Sequence, residues 1–256
     1  IMVKAYEKTY AIMSRRSLRA YQAQDIFHSP NYVLPSFPGR RVVTILDLST
    51  IRFPEFHSAA TIRFVNGHIE RAINEADHIL TISDFVRNEI IEHFGLPQEK
   101  ITTTYLGADD SFQPISLADF DNSRFASELQ FKQYFLFVST IEPRKNLARL
   151  LDAYEAYHRE SGSNALPLIL PGLPGWKSND IHARLQTLES QGLVKYLGYV
   201  DQCDLPTLLA GARALLFPSL YEGFGLPVVE AMKSGTAIMT SKTSAMSEVA
   251  DDAALY

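Results

Sequence analysis

The chain has 256 residues, 46% of them hydrophobic and 21% charged; this balance supports two modest globular cores and excludes a disordered chain or a small disulfide scaffold. Its formal net charge of -5 lacks the basic footprint of a nucleic-acid binder, so no nucleic-acid partner is expected. A single cysteine, Cys203, can form no internal disulfide and offers no cysteine-based metal site, which suits a reducing, cytoplasmic setting.

From residue 1 the chain reads as a helix, without the Met and buried strand that usually open an α/β domain. No signal peptide and no apolar run of about 20 residues is legible. Residues 13–20, Met-Ser-Arg-Arg-Ser-Leu-Arg-Ala, mix basic and apolar side chains, so a peripheral contact with anionic lipid and a solvated helix face both fit. Short strands are predicted at 25–27 and 42–46, a helix over 59–76 and a strand at 78–82. A helix over 83–94 follows, with Ser83 as its N-cap and Gly95 as its stop, and then a strand at 101–105. Residues 107–130 carry Gly107, Pro114 and several Asp and Ser, and read as an interdomain connection holding one short helix. Beyond it, strands at 134–139, 166–170, 194–197, 214–218 and 237–240 alternate with helices over 146–161, 180–191, 205–210 and 227–234. This is the pattern of an α/β protein with two doubly wound, Rossmann-like parallel domains, residues 1–106 and 131–256. The first is expected to be incomplete, and the chain stops directly after a strand-like stretch at 253–256.

The most informative run is Phe217-Pro-Ser-Leu-Tyr-Glu-Gly-Phe-Gly-Leu-Pro-Val-Val-Glu-Ala-Met232: an apolar strand, a glycine turn and a helix start, with Pro227 suited to the first helical turn. A helix that begins there directs unpaired N–H groups and the positive end of its dipole into the turn, which favours an anion such as a diphosphate. Gly223 and Gly225 allow close backbone approach. Glu222 and Glu230 flank the turn, and each carboxylate can accept two hydrogen bonds from a vicinal diol. Both glutamates could instead simply favour the helix N-terminus electrostatically. A second cluster, Ser139-Thr-Ile-Glu-Pro-Arg-Lys-Asn146, follows the first strand of the same domain and so emerges at the carboxyl edge of the sheet, where such folds bind ligands. Arg144 and Lys145 there would neutralise charge on a departing diphosphate, a role that needs no metal.

The spacing Glu222-Gly-Phe-Gly-Leu-Pro-Val-Val-Glu230 together with Glu-Pro-Arg-Lys-Asn resembles the group 1 (family four) retaining glycosyltransferases of the GT-B fold. Among these it looks closest to bacterial GDP-mannose-dependent mannosyltransferases of surface polysaccharides, lipopolysaccharide O-antigen or capsule. Asp25–Pro30, 42–47, 79–85, 105–109, 172–176 and 197–201 extend the likeness across almost the whole chain. The resemblance implies two Rossmann-like domains facing across a cleft, with the donor in the second. It implies Glu230 on the donor ribose, Glu222 on the transferred sugar with the backbone of Gly223, Phe224, Gly225 and Leu226, Arg144 and Lys145 on the diphosphate, and Ser219 also on the donor side. Tyr199 and Val200 match the segment packed against the nucleotide base, although Tyr199 also reads as a half-buried strand-end aromatic. No tightly bound cofactor or metal is implied: the co-substrate is a nucleotide sugar, GDP-mannose above others, and the acceptor a glycan or lipid-linked oligosaccharide.

Relatives commonly carry His-Asp after the strand at 42–46, whereas this chain has Leu46-Asp47, so Asp47 remains on the acceptor side and one polar contact to the sugar is absent. His28 could compensate or be structural. Relatives often have Gly and a basic residue where Ser139 and Thr140 stand, which leaves Arg144 and Lys145 with more of the charge. A nucleotide-sugar-binding protein without transferase activity and a GT-B epimerase stay open beside the transferase. Asp119-Phe-Asp121 imitates the metal-binding motif of the other main glycosyltransferase fold, but no apolar strand precedes it and helix capping is expected. Glu222 and Glu230 could also be a glycosidase pair, but the anion-favouring helix start between them suits a phosphate better.

Overall fold

The structure, a computed structural model, describes residues 21–176 and 178–256. The helix expected at the chain start and the basic segment at 13–20 lie outside those residues. The chain divides into two compact units, residues 1–105 and 106–256, each with its own parallel sheet.

In the first unit, β1 (Ile26–Ser29), β2 (Arg40–Ile45), α1 (Ser49–Arg52), α2 (Ala59–Glu75), β3 (His78–Thr81), α3 (Asp84–Phe94) and β4 (Ile101–Thr103) follow in order. The four strands lie side by side in sequence order, all parallel. Val65, Ile69, Ala72 and Ile73 recur at helical spacing on α2 and form one stripe, which shares a core with Val43, Ile45 and Ile79 of the sheet. Ser83 Oγ accepts from Val86 N at 3.2 Å, and Gly95, at φ 65°, closes α3 in the left-handed conformation, as the sequence leads one to expect. Gly67 is exposed on α2, and a Cβ there would meet nothing within 4 Å. Gly67→Ala should therefore stabilise the chain by about 0.5–1 kcal/mol, read as a shift in the urea midpoint.

The second unit contains α4 (Leu117–Asp121), β5 (Phe135–Leu136), α5 (Leu147–Ser161), β6 (Leu168–Pro171), α6 (Asn179–Ser190), β7 (Val194–Gly198), α7 (Leu205–Gly211), β8 (Ala214–Phe217), α8 (Leu226–Lys233), β9 (Ala237–Thr240) and α9 (Met246–Ala250). Its sheet runs β7-β6-β5-β8-β9, every pair parallel. Successive strand residues alternate faces. Leu136, Ile169, Leu215 and Phe217 pack with α7 and α8, whereas Phe137, Leu168, Leu170 and Leu216 pack with α5 and α6. Coverage of both faces explains why these strands read as continuous apolar runs.

Several expectations change. Residues 107–130 do more than connect, because Phe112, Phe120, Phe125 and Leu129 are buried in the core shared by α7 and α8. Their irregular spacing follows neither a helical nor a strand period, so only tertiary packing reveals them. The short helix expected there is α4, closed by a capping box in which Ser116 Oγ accepts from Asp119 N and Asp119 Oδ2 accepts from Ser116 N. Asp119 is thus a helix cap, as the missing strand before it suggested. The strand expected at 134–139 shortens to two residues, and 253–256 supplies one bridge, Leu255 opposite Met239. The helices α1 and α9 are too short to leave a periodic signal.

The strand order positions the site. From β5 the chain crosses to β6 on one side and later returns to β8 on the other, so the sheet reverses direction beside β5. In such sheets a ligand crevice lies at the carboxyl ends of the strands at this reversal. The loops after β5 and β8 flank it. Among the described residues no helix is long and apolar enough to cross a membrane.

Candidate functional site

Pro143–Lys145 form a single 3-10 turn, and Asn146 ends it in the left-handed conformation at φ 59°. Arg144 and Lys145 therefore precede α5, in keeping with the helix expected from residue 146. The two loops are interlocked: Leu220 N donates to the Arg144 carbonyl at 2.9 Å and Asn146 Nδ2 to the Pro218 carbonyl at 3.1 Å.

The charged side chains meet at Glu222, which is 7% exposed. Lys145 Nζ donates to Glu222 Oε1 at 2.6 Å, and Arg144 Nη1 donates to Glu222 Oε2 at 2.8 Å and to the Tyr221 carbonyl at 2.6 Å. Arg144 Nη2 donates to Oε1 of Glu142 at 2.8 Å, and Glu142 is itself buried. Two cations thus face two carboxylates. Sequence alone suggested cations awaiting an anion; here Glu222 supplies one. Burial opposes ionisation of Glu222, but the charges of Lys145 and Arg144 outweigh it and hold the carboxyl below its ordinary value. Lys145 Nζ also lies 5.4 Å from the centre of the Phe217 ring, a cation–π contact. Ser219 is fully buried beside the Glu222 carboxylate.

The helix start takes the expected form. Gly225, at φ 100°, is the N-cap of α8, no side chain caps the helix, and Pro227 sits in its first turn. A Cβ on Gly225 would lie 2.2 Å from Met246 Cε, the movable end of a side chain, so it is the backbone conformation that disfavours larger residues in this turn. Gly223 and Phe224 are buried, while Leu226 reaches the surface. Glu230, one turn into α8, is half-buried, and its carboxylate has neither hydrogen-bonded nor ion-paired partner among the described residues. Burial alone raises its pKa.

Glu230 therefore weakens the fold as pH rises. A carboxyl whose folded pKa is raised leaves stability intact below the unfolded value of about 4.3 and lowers it progressively as pH rises from there through the folded value. Glu230→Gln should raise the melting temperature at pH 7, and the gain should vanish as the pH is lowered below about 4. Melting curves of both proteins across that range check it. Glu222 has the opposite sign. Its depressed folded value contributes stability above the unfolded value, and this is lost as pH falls through the folded one.

Other expected residues are held differently. Tyr199 is 65% exposed just past the end of β7, more than a half-buried strand-end ring would be, and Val200 packs against the core. Both line a cleft of about 210 Å³ with Leu197, Arg124, Phe125, Glu128 and Leu129. In the first unit, His28 Nε2 lies 2.8 Å from Thr44 Oγ1, and Asp47 Oδ1 accepts from Ser49 N at 2.8 Å, at the start of α1. These bonds match the structural reading of His28 and give Asp47 a local role as well.

Sequence reasoning missed the partner role of Glu142 and the loop after β9. Ser241 Oγ donates to the Ser219 carbonyl at 2.5 Å, Thr243 Oγ1 donates to the Leu220 carbonyl at 3.1 Å, and Ser244 Oγ accepts from Glu222 N at 3.0 Å. The signal was a run of small hydroxyl residues, Thr240-Ser-Lys-Thr-Ser244, directly after a strand, where short hydroxyl side chains satisfy neighbouring backbone.

Comparison with known proteins bears on the family and the fold. The family described as "Glycosyl transferases group 1" matches residues 119–254, and "Glycosyltransferase Family 4" matches residues 5–112. The chain is 36% identical over 255 residues to O-antigen chain mannosyltransferase B of Escherichia coli, covering 100% of this chain and 66% of that protein. It is 26% identical over 217 residues to O-antigen chain mannosyltransferase RfbU of Salmonella typhimurium, covering 84% and 56% respectively. The chain thus spans two thirds or less of the length of these relatives. The fold is shared with WaaG, a glycosyltransferase involved in lipopolysaccharide biosynthesis, at a TM-score of 0.72 and 18% identity over 96% of this chain and 67% of WaaG. Its two parallel α/β units are those of the GT-B fold, and the chain belongs to the group 1 glycosyltransferases.

Proposed function

We propose that the chain acts as a retaining mannosyltransferase, moving mannose from GDP-mannose to a lipid-linked or oligosaccharide acceptor in O-antigen or capsule synthesis at the cytoplasmic membrane face. One observation carries the donor site: Glu230, half-buried and with no partner for its carboxylate among the described residues, stands one turn behind an uncapped helix start, and the loop before that helix carries the Lys145–Glu222–Arg144 cluster. A desolvated carboxylate without a cation is a strong acceptor for a ribose diol. The backbone of 223–226 and the positive end of α8 receive the diphosphate. Glu222, with Ser219, orients the mannose, and Tyr199 and Val200 border the base. Asp47 and His28 belong to the acceptor side. The names of the two mannosyltransferase relatives support the choice of sugar.

In the reaction an acceptor hydroxyl oxygen bonds to the anomeric carbon while the bond from that carbon to the donor phosphate oxygen breaks. The departing phosphate oxygen takes the hydroxyl proton, so the products are the mannosylated acceptor and GDP. Lys145 faces the charge that grows on that phosphate, which is stabilisation specific to the transition state. Leu46, 38% exposed where relatives carry histidine, favours a second reading as a nucleotide-sugar-binding protein without turnover. Incubation with labelled GDP-mannose and membrane lipid carrying polysaccharide precursor separates them. Label passing to the lipid fraction with release of GDP supports the transferase; nucleotide binding with the label retained on GDP-mannose supports the second reading.

A further inference from the structure

We propose that Arg144 is a positioning residue: its guanidinium, braced by buried Glu142, holds the Tyr221–Glu222 turn in place, and Lys145 is the cation that meets the donor phosphate. The inference rests on the donor-site reading above and divides the work of its two cations. Both hydrogens of Arg144 Nη1 are engaged, one by the Tyr221 carbonyl at 2.6 Å and one by Glu222 Oε2 at 2.8 Å, while Nη2 is held by Glu142 Oε1 at 2.8 Å. The planar fork of arginine suits three fixed acceptors in this way, and a lysine point charge cannot reproduce it. Turning Nη1 towards a phosphate would release a buried carbonyl and a buried carboxylate together. Glu142 is 2% exposed. A carboxylate buried beside an anion site weakens anion binding unless it does something else, and its ion pair with Arg144 cancels most of that cation's attraction for a phosphate. The Arg144 carbonyl adds to the brace by accepting from Leu220 N at 2.9 Å. Lys145 differs: its ammonium has three donors on a flexible stem and one hydrogen-bond acceptor among the described residues, Glu222, so it can offer a further donor to a phosphate oxygen while keeping Glu222.

The test compares GDP affinity by calorimetry with kcat on GDP-mannose for Arg144→Lys, Glu142→Ala, Glu142→Gln and Lys145→Ala in the full chain. Arg144→Lys and Glu142→Ala should lower kcat by about tenfold or more while GDP affinity changes by less than about threefold. Glu142→Gln, whose amide oxygen still accepts from Arg144, should recover most of the turnover, and Lys145→Ala should weaken GDP binding by about tenfold or more. If Arg144→Lys weakens GDP binding as much as Lys145→Ala does, Arg144 is a phosphate ligand and the proposal is overturned. Turnover within about twofold of the unaltered chain in Arg144→Lys also overturns it. If Lys145→Ala binds GDP unchanged, the donor-site reading itself fails, a result distinct from either. Melting curves establish which variants fold; should Glu142→Ala not fold, Arg144→Lys and Glu142→Gln decide the matter alone.

Discussion

Lys145→Ala should lower turnover at least about tenfold, and up to about a hundredfold, because a charge-assisted hydrogen bond to a departing phosphate contributes about 1.5–3 kcal/mol. The loss should appear in kcat and in kcat/KM together, since the charge it meets develops in the transition state. A second effect follows from the ion cluster. Removal of the ammonium leaves Glu222 buried with Arg144 as its remaining cation, so the melting temperature should fall as well. Arginine at 145 keeps the charge but is longer and carries a fork, so Lys145→Arg should restore stability better than rate. Near-normal turnover in Lys145→Ala would remove the diphosphate from this position altogether.

The largest structural effect is expected at Gly172, where β6 ends. Its φ is 154°, and a Cβ there would lie 1.8 Å from the Ser139 carbonyl oxygen. That neighbour is backbone and cannot rotate away. Gly172 N donates to the Gly198 carbonyl at 2.7 Å, and Ile141 N donates to the Leu173 carbonyl at 2.9 Å, so the loop after β6 is tied both to the end of β7 and to the loop that leads into Glu142–Lys145. Gly172→Ala should therefore destabilise the second unit by about 3 kcal/mol or more, through combined clash and backbone strain. It should also weaken nucleotide binding without altering any side chain of the ion cluster. Urea unfolding read beside GDP titration checks both parts; a loss under about 1 kcal/mol would mean that the Ser139 loop shifts freely.

The contrast between Gly172 and Gly67 shows what the sequence could and could not disclose. The strands were legible because both faces of the second sheet are covered, which forces apolar runs such as Leu168–Leu170 and Ala214–Phe217. The helix from Asp84 to Phe94 was legible because its cap and its stop are local chemistry. The core role of Phe112, Phe120 and Phe125 was not, since the helices α7 and α8 that they pack against lie some 80 or more residues away. At the site, the glycine turn, Glu230 and the cation pair stood in the sequence. The partners of those cations did not: Arg144 and Glu222 are separated by 78 positions, and no local rule states which of several carboxylates will meet which cation. Glu142 adjoined the motif throughout, yet its burial against Arg144 is a tertiary fact.

The most direct measurement is thermal unfolding of the chain with GDP, GDP-mannose, UDP and ADP, repeated in Glu230→Ala. A ligand present at about 100 times its dissociation constant adds about 2.7 kcal/mol to the native state, which is read without any acceptor. The proposed donor site requires stabilisation by GDP and GDP-mannose that is lost in Glu230→Ala. Stabilisation by UDP in their place would keep the site and change the sugar, whereas no response to any nucleotide, or a response that survives Glu230→Ala, would contradict the donor site drawn around residues 221–232.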